Sequence, residues 1–259
     1  MLCHEFGDSS KPIIILLPGT MCYWYTNFAK VIPSLIEDFF VVVASYTGFD
    51  MKDRSDYTSV LAEVEKIEAH IKHSYQGKVL AIYGSSLGGT FVAHLVARRK
   101  IQLSYAVIGS SDFDQSCRLP AYLKSKLLVK LMWPYVTKGR FKPKCLHSYF
   151  EKASAKDSYV KEIFSFVKGM DFVSKTSVFN QYFFDLITPL PCHVESSDCQ
   201  VHIFYAKKMG RKYLKRYNNH FKNAIIHPQE YRHEELLVSY SGKWCQCIKQ
   251  ICLNHKEEV

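Results

Sequence analysis

Acidic residues are missing from two stretches of this 259-residue sequence, 116–150 and 200–229, and the formal net charge is +10. Long apolar runs are missing too. The longest, 12–18 and 39–44, fall far short of the roughly 20 residues that a membrane-crossing helix needs. Residues 1–11 are mixed, with no basic stretch leading into an apolar one, so no secretory signal is expected. No internal repeat, low-complexity linker or nucleic-acid-binding signature accompanies the positive charge, so a nucleic-acid partner is not expected. The nine cysteines are scattered from Cys3 to Cys252 and odd in number. That argues against a disulfide framework and for a reducing, cytoplasmic setting. Cys245-Gln246-Cys247 has no second ligand pair nearby, so its thiols are read as small buried hydrophobes and no metal is expected.

What is present suits one α/β domain. The hydrophobic fraction of 47% and the length together allow a core that folds without staples. Short β-rich runs alternate with amphipathic stretches, the pattern of a mostly parallel sheet with helices on both faces. Strands are expected at 13–17, 39–45, 78–83, 104–108, 201–206 and 224–226, with helices over 25–36, 57–74, 87–99 and 234–251. In the second of these helices Val60, Val64, Ile67 and Ile71 share one face. Residues 116–197 are helical and aromatic and interrupt the alternation. They read as a cap inserted into a core made of 1–115 and 198–259.

Chemistry concentrates where the third strand ends, in Gly84-Ser85-Ser86-Leu87-Gly88-Gly89. A serine on so tight a strand-to-helix turn projects its Oγ above the sheet edge, and glycines two before and two after it avoid collision. The bare Gly-x-Ser-x-Gly pattern carries little. An apolar strand on one side and a helix of small and apolar residues on the other make Ser86 the expected nucleophile. The following helix aims its N-terminus at the reacting centre, where free N–H groups favour an oxyanion. Leu87 N–H is one such donor. Thr20 N–H, in the Pro18-Gly19-Thr20 turn after the first strand, is the expected second, with Met21 as its alternate. A general base must reach Ser86 from a loop at the same sheet edge. His233, between the last strand and the last helix, fits best, ahead of His227, His202 and His220.

This order of elements, from Lys11 to Ile251, resembles the α/β-hydrolase superfamily, most of all its capped, single-domain esterase-like or peptidase-like members. The resemblance implies the order nucleophile, acid, histidine, and a serine at the turn sets the chain apart from the dehalogenases of that fold. The acid of such enzymes usually follows the penultimate strand, where this sequence has Lys207-Lys208-Met209-Gly210 and no carboxylate. Some lipases of the superfamily place it after the preceding strand instead. Here that strand runs into Ser110-Ser111-Asp112-Phe113-Asp114, so Asp112 is the expected orienting acid and Asp114 its reserve. Glu230 and Glu234 stand too close in sequence to His233 to serve.

The expected function is therefore a serine hydrolase that cleaves an ester, thioester or small amide through an acyl-enzyme on Ser86, with no cofactor. Two other readings stay open. The empty acid slot fits a hydrolase-like fold that binds a ligand or partner without turnover. The basic cap, with Arg118, Lys124, Lys126, Lys130, Lys138, Arg140, Lys142 and Lys144 interleaved with leucines, fits peripheral contact with a membrane surface.

Overall fold

The computed structural model describes residues 1–253. Seven strands form one sheet: β1 (Leu2–Phe6), β2 (Ile13–Leu17), β3 (Phe40–Ser45), β4 (Lys78–Gly84), β5 (Gln102–Ile108), β6 (Gln200–Ala206) and β7 (Ile225–Gln229). Their order is β1-β3-β2-β4-β5-β6-β7, with β1 antiparallel to β3 and every other pair parallel. The edge strand β1 is the element that sequence did not reveal. Its mixed residues, Leu-Cys-His-Glu-Phe, are only partly buried and lack the apolar run that marked the inner strands.

Those inner runs are apolar because both faces of the sheet are covered. Alternate residues of β2 point opposite ways: Ile15 and Leu17 join one core cluster, Ile14 and Leu16 the other. In β3, Val42 and Ala44 likewise face away from Val41 and Val43. On the first face lie α3 (Val60–Ser74), through Val60, Val64, Ile67 and Ile71, and α4 (Leu87–Arg98), through Phe91, Val92 and Leu95. On the second lie α1 (Trp24–Phe28) and α2 (Ile32–Leu35). These two short helices replace the single one expected over 25–36, and Pro33 stands in the first turn of α2, where its missing N–H costs nothing. A fully buried Val, Ile or Leu contributes about 1.5–3 kcal/mol over its exposed state, so these two layers carry most of the stability.

Between β5 and β6 the chain makes four helices: α5 (Arg118–Lys138), α6 (Lys144–Lys156), α7 (Ser158–Ser165) and α8 (Lys175–Ile187). After β6 come a single 3-10 turn at Lys207–Met209 and α9 (Arg211–His220). The C-terminal helix expected over 234–251 is two, α10 (Glu235–Ser239) and α11 (Ser241–Leu253), because the chain breaks at Tyr240. Trp244 and Ile248 of α11 are fully buried on the second face, the Trp244 ring edge-on to Tyr83 at 4.7 Å. Among the described residues no helix is long and apolar enough to cross a membrane.

The topology decides where a site can form. From β2 the chain moves outward to β3, then crosses back over β2 to β4. The loops after β2 and β4 therefore leave the sheet side by side, with Leu17 paired to Gly84. Ligands of open α/β sheets bind at such a reversal, beyond the C-terminal ends of the strands.

Candidate active site

β4 ends at Gly84 and α4 begins at Leu87, so the chain must reverse within Ser85 and Ser86. Ser86 adopts φ 49° and ψ −111°, a conformation that costs a non-glycine residue about 1–3 kcal/mol and persists only where the surroundings impose it. Ser85 N–H donates to Leu17 C=O (3.0 Å), Gly88 N–H to Ser85 C=O (2.7 Å) and Gly89 N–H to Ser86 C=O (2.8 Å). The hydroxyl of Ser111 also donates to Ser86 C=O at 2.5 Å. A Cβ on Gly84 would lie 2.2 Å from the carbonyl carbon and oxygen of Gly88, so only glycine allows so tight a turn. Every residue from 81 to 96 is buried except Ser86.

The turn after β2 lies against this serine: a Cβ on Gly19 would sit 3.5 Å from the Cβ of Ser86. Asn27 Oδ1 fixes that turn by accepting Gly19 N–H at 2.8 Å. Met21 N–H is already given to Gln181 Oε1 of α8, at 2.7 Å. Among the described residues Thr20 N–H and Leu87 N–H donate to no protein acceptor. Of the two donors weighed for this turn, Thr20 is thus the one with its N–H free.

The residue that sequence reasoning dismissed is the one that binds the site together. Glu234 is buried, and Ser86 N–H (3.2 Å) and Ser110 N–H (2.7 Å) donate to its Oε1. The hydroxyls of Ser85 (2.9 Å) and Tyr83 (3.1 Å) donate to its Oε2. Burial, and then Glu234 itself, push the Tyr83 phenol well above its ordinary value, which keeps it a donor. Glu234 adopts left-handed φ 54°, and its carboxyl meets the Ser86 turn and Ser110 rather than His233 among the described residues. One signal was present in the sequence. Gly109 follows β5, and a Cβ there would lie 2.6 Å from Glu234 Oε1.

His233 is half-buried, and its loop is held on two further sides. The Tyr159 hydroxyl of α7 donates to His233 C=O at 2.7 Å. Arg232 bonds Asp157 of the helical insertion and Glu235 of α10, holding both carboxyls below their usual range. The three histidines weighed against it are engaged elsewhere. His202 and His227 lie on β6 and β7 with ring nitrogens 2.9 Å apart, and His220 Nδ1 contacts Pro191 C=O at 2.7 Å.

The carboxylates after β5 do not join His233 in any hydrogen bond among the described residues. Asp112 accepts Asp114 N–H at 3.2 Å, and Asp114 pairs with Arg216 of α9. A third carboxylate, Asp185 of α8, accepts the Thr90 hydroxyl of α4 at 3.0 Å. Asp185 is half-buried as a residue but its carboxyl is enclosed. Burial first, and then the charge of Asp112, push it up to about 7. Cys245 is buried and Cys247 half-buried within α11, and among the described residues no group of three or more His, Cys, Asp or Glu is arranged to hold a metal.

No family model and no curated protein matches the sequence, but solved structures do match the fold. A protein assigned to the alpha/beta hydrolase family from Desulfitobacterium hafniense superposes with a TM-score of 0.76 at 18% identity, over 96% of this chain and 99% of its own. A hydrolase from Pseudomonas aeruginosa gives 0.71 at 9% identity, over 95% and 92%. A thermophilic esterase from Thermogutta terrifontis gives 0.68 at 11% identity, over 96% and 92%. This chain has the α/β-hydrolase fold. At such identities the likeness is one of fold, and the chemistry has to be argued from the side chains.

Two predictions follow from the α/β-hydrolase core and its insertion. Glu234→Ala leaves four donors without their acceptor and should cost on the order of 3 kcal/mol in urea unfolding, whereas Glu234→Gln, which keeps one carbonyl acceptor, should recover much of that. Wild-type stability after Glu234→Ala would remove the strap from the account. The Asp185 carboxyl holds its proton more tightly folded (about 7) than at its ordinary value of 3.8. The stability tied to that proton is complete below about pH 4 and is lost as pH rises through about 7. Asp185→Asn should therefore match wild type near pH 4 and exceed it near pH 8 in urea midpoints, and a difference that does not change with pH contradicts the assignment.

Proposed function

We propose that this chain is a serine hydrolase that cleaves a carboxylic ester, thioester or small amide. The observation that carries the reading is the Glu234 strap: the carboxyl group bonded to Ser86 N–H belongs to the residue next to His233, so one side chain ties nucleophile and base to a common anchor. In this reading His233 takes the Ser86 proton as Oγ attacks the acyl carbon. The tetrahedral oxygen receives the free N–H groups of Thr20 and Leu87. His233 returns the proton to the leaving oxygen, sulfur or nitrogen. Water, deprotonated by His233, then attacks the acyl-enzyme, releasing the acid and restoring the Ser86 hydroxyl.

Helices α5–α8 serve as the cap. Gln181 and Asp185, one turn apart on α8, bind the Met21 turn and the first turns of α4, which supports this role. Asp112 keeps its proposed part as orienting acid only if its carboxylate exchanges Asp114 N–H for a histidine N–H. Loss of that acid lowers the rate without abolishing turnover, so a Ser86–His233 pair held by Glu234 is a workable site. Nine unpaired thiols fit a reducing, cytoplasmic setting.

Hydrolysis of a panel of p-nitrophenyl esters tests the reading. Turnover should fall about 10³-fold or more in both Ser86→Ala and His233→Ala. Turnover that survives Ser86→Ala would point to another site. Absence of turnover in folded wild type across the panel would favour the second reading, a hydrolase-like fold that binds without reacting.

A further inference from the structure

Helix α5 is apolar on both sides, and only one of them is covered. Its inner side carries Ala121, fully buried in a cluster with Phe183 and Leu186 of α8, and Ser125, also fully buried. On its outer side Leu119, Leu123 and Leu127 stand one turn apart, exposed at 69%, 58% and 58%, with Tyr122 beside them at 38%. A stripe of leucines at four-residue intervals is one helical face. Arg118, Lys124, Lys126 and Lys130 are exposed around it, Lys126 lying over the Tyr122 ring at 4.6 Å. The helix contains no acidic residue, so nothing on it offsets these cations. At the stripe's N-terminal end a cleft of about 470 Å³ opens between α5 and α8, lined by Arg118, Leu119, Tyr122, Phe179 and Phe183.

We propose that this face docks on an anionic lipid bilayer, with the leucines and Tyr122 in the acyl boundary and the four cations among the headgroups. An acidic protein would satisfy the charges alone. The projecting leucine stripe and the aromatic cleft under Arg118 ask for an apolar phase next to the negative one, and a bilayer surface of anionic lipid supplies both. The helix beneath, α8, carries Gln181 and Asp185 at the candidate site, so docking sets the lid of that site at the membrane.

The surface stands independently of catalysis, and full-length Ser86→Ala protein keeps the two questions apart. Co-sedimentation is measured with vesicles of phosphatidylcholine alone and with about one-third phosphatidylserine. Binding is expected only to the second, falling with salt. Lys126→Glu with Lys130→Glu should weaken it about tenfold or more. The combined Leu119→Ser, Leu123→Ser and Leu127→Ser variant should do the same while still unfolding in one cooperative urea transition, its midpoint lowered only by the poorer helix propensity of serine. No binding to the anionic vesicles overturns the proposal. So does undiminished binding by the leucine variant, which would make the face a charge-only surface suited to an acidic protein.

Discussion

Almost everything at the C-terminal edge of this sheet is referred to one buried carboxyl group. Glu234 accepts from the end of β4, from the strained turn at Ser86 and from the first residues after β5, and it does so from a loop that follows β7. Three segments remote in sequence, at 83–86, 110 and 234, are thereby held to one point. A buried polar group is costly unless its hydrogen bonds are met, and here the cost is offset by donors that would themselves be stranded without it. The glycine after β5 is part of the same constraint, since any side chain at 109 would occupy the carboxyl's place. Strain at Ser86 is thus maintained by its neighbours, as preorganised sites require.

The insertion answers to the same edge. Ser177, Gln181 and Asp185 recur at four-residue intervals along α8 and bond the Tyr57 loop, the Met21 turn and Thr90. A helix that packed only through apolar contact could slide; hydrogen bonds to two loops and to α4 fix its register. Phe183 and Leu186 of α8 pack on Ala121 of α5 while Val178 joins the core of the first face, and α5 presents leucines outward in turn.

Much of this architecture was legible in the sequence where the signals were local. Residues 14–17 and 81–83 are buried on both faces, so the apolar runs they belong to announce strands directly. Gly84 and Gly88 stand where a Cβ would strike backbone, and that is why the motif around Ser86 locates the turn without knowledge of the rest. The failures were of two kinds. β1 is a partly buried antiparallel edge strand whose identity lies in its partner β3 rather than in its own residues. Glu234 is set aside in sequence only as an orienter of His233, and the part it plays, accepting from the Ser86 turn and from Ser110, is one that sequence does not announce. Its left-handed backbone is likewise invisible in composition or periodicity. The empty acid slot after β6 was legible, but its consequence was not. Asp112 and Asp114 lie after β5 as expected, yet their partners are Asp114 N–H and Arg216.

In the proposed mechanism this edge holds Ser86 as an activated nucleophile with His233 as its base. Intact-mass analysis after exposure to a fluorophosphonate tests it most directly, because the probe reacts covalently with an activated serine and needs no knowledge of the substrate. One equivalent is expected on wild type and none on Ser86→Ala or His233→Ala. A folded wild type that stays unlabelled both in buffer and in mild detergent, or a Ser86→Ala variant labelled as fully as wild type, would contradict the mechanism.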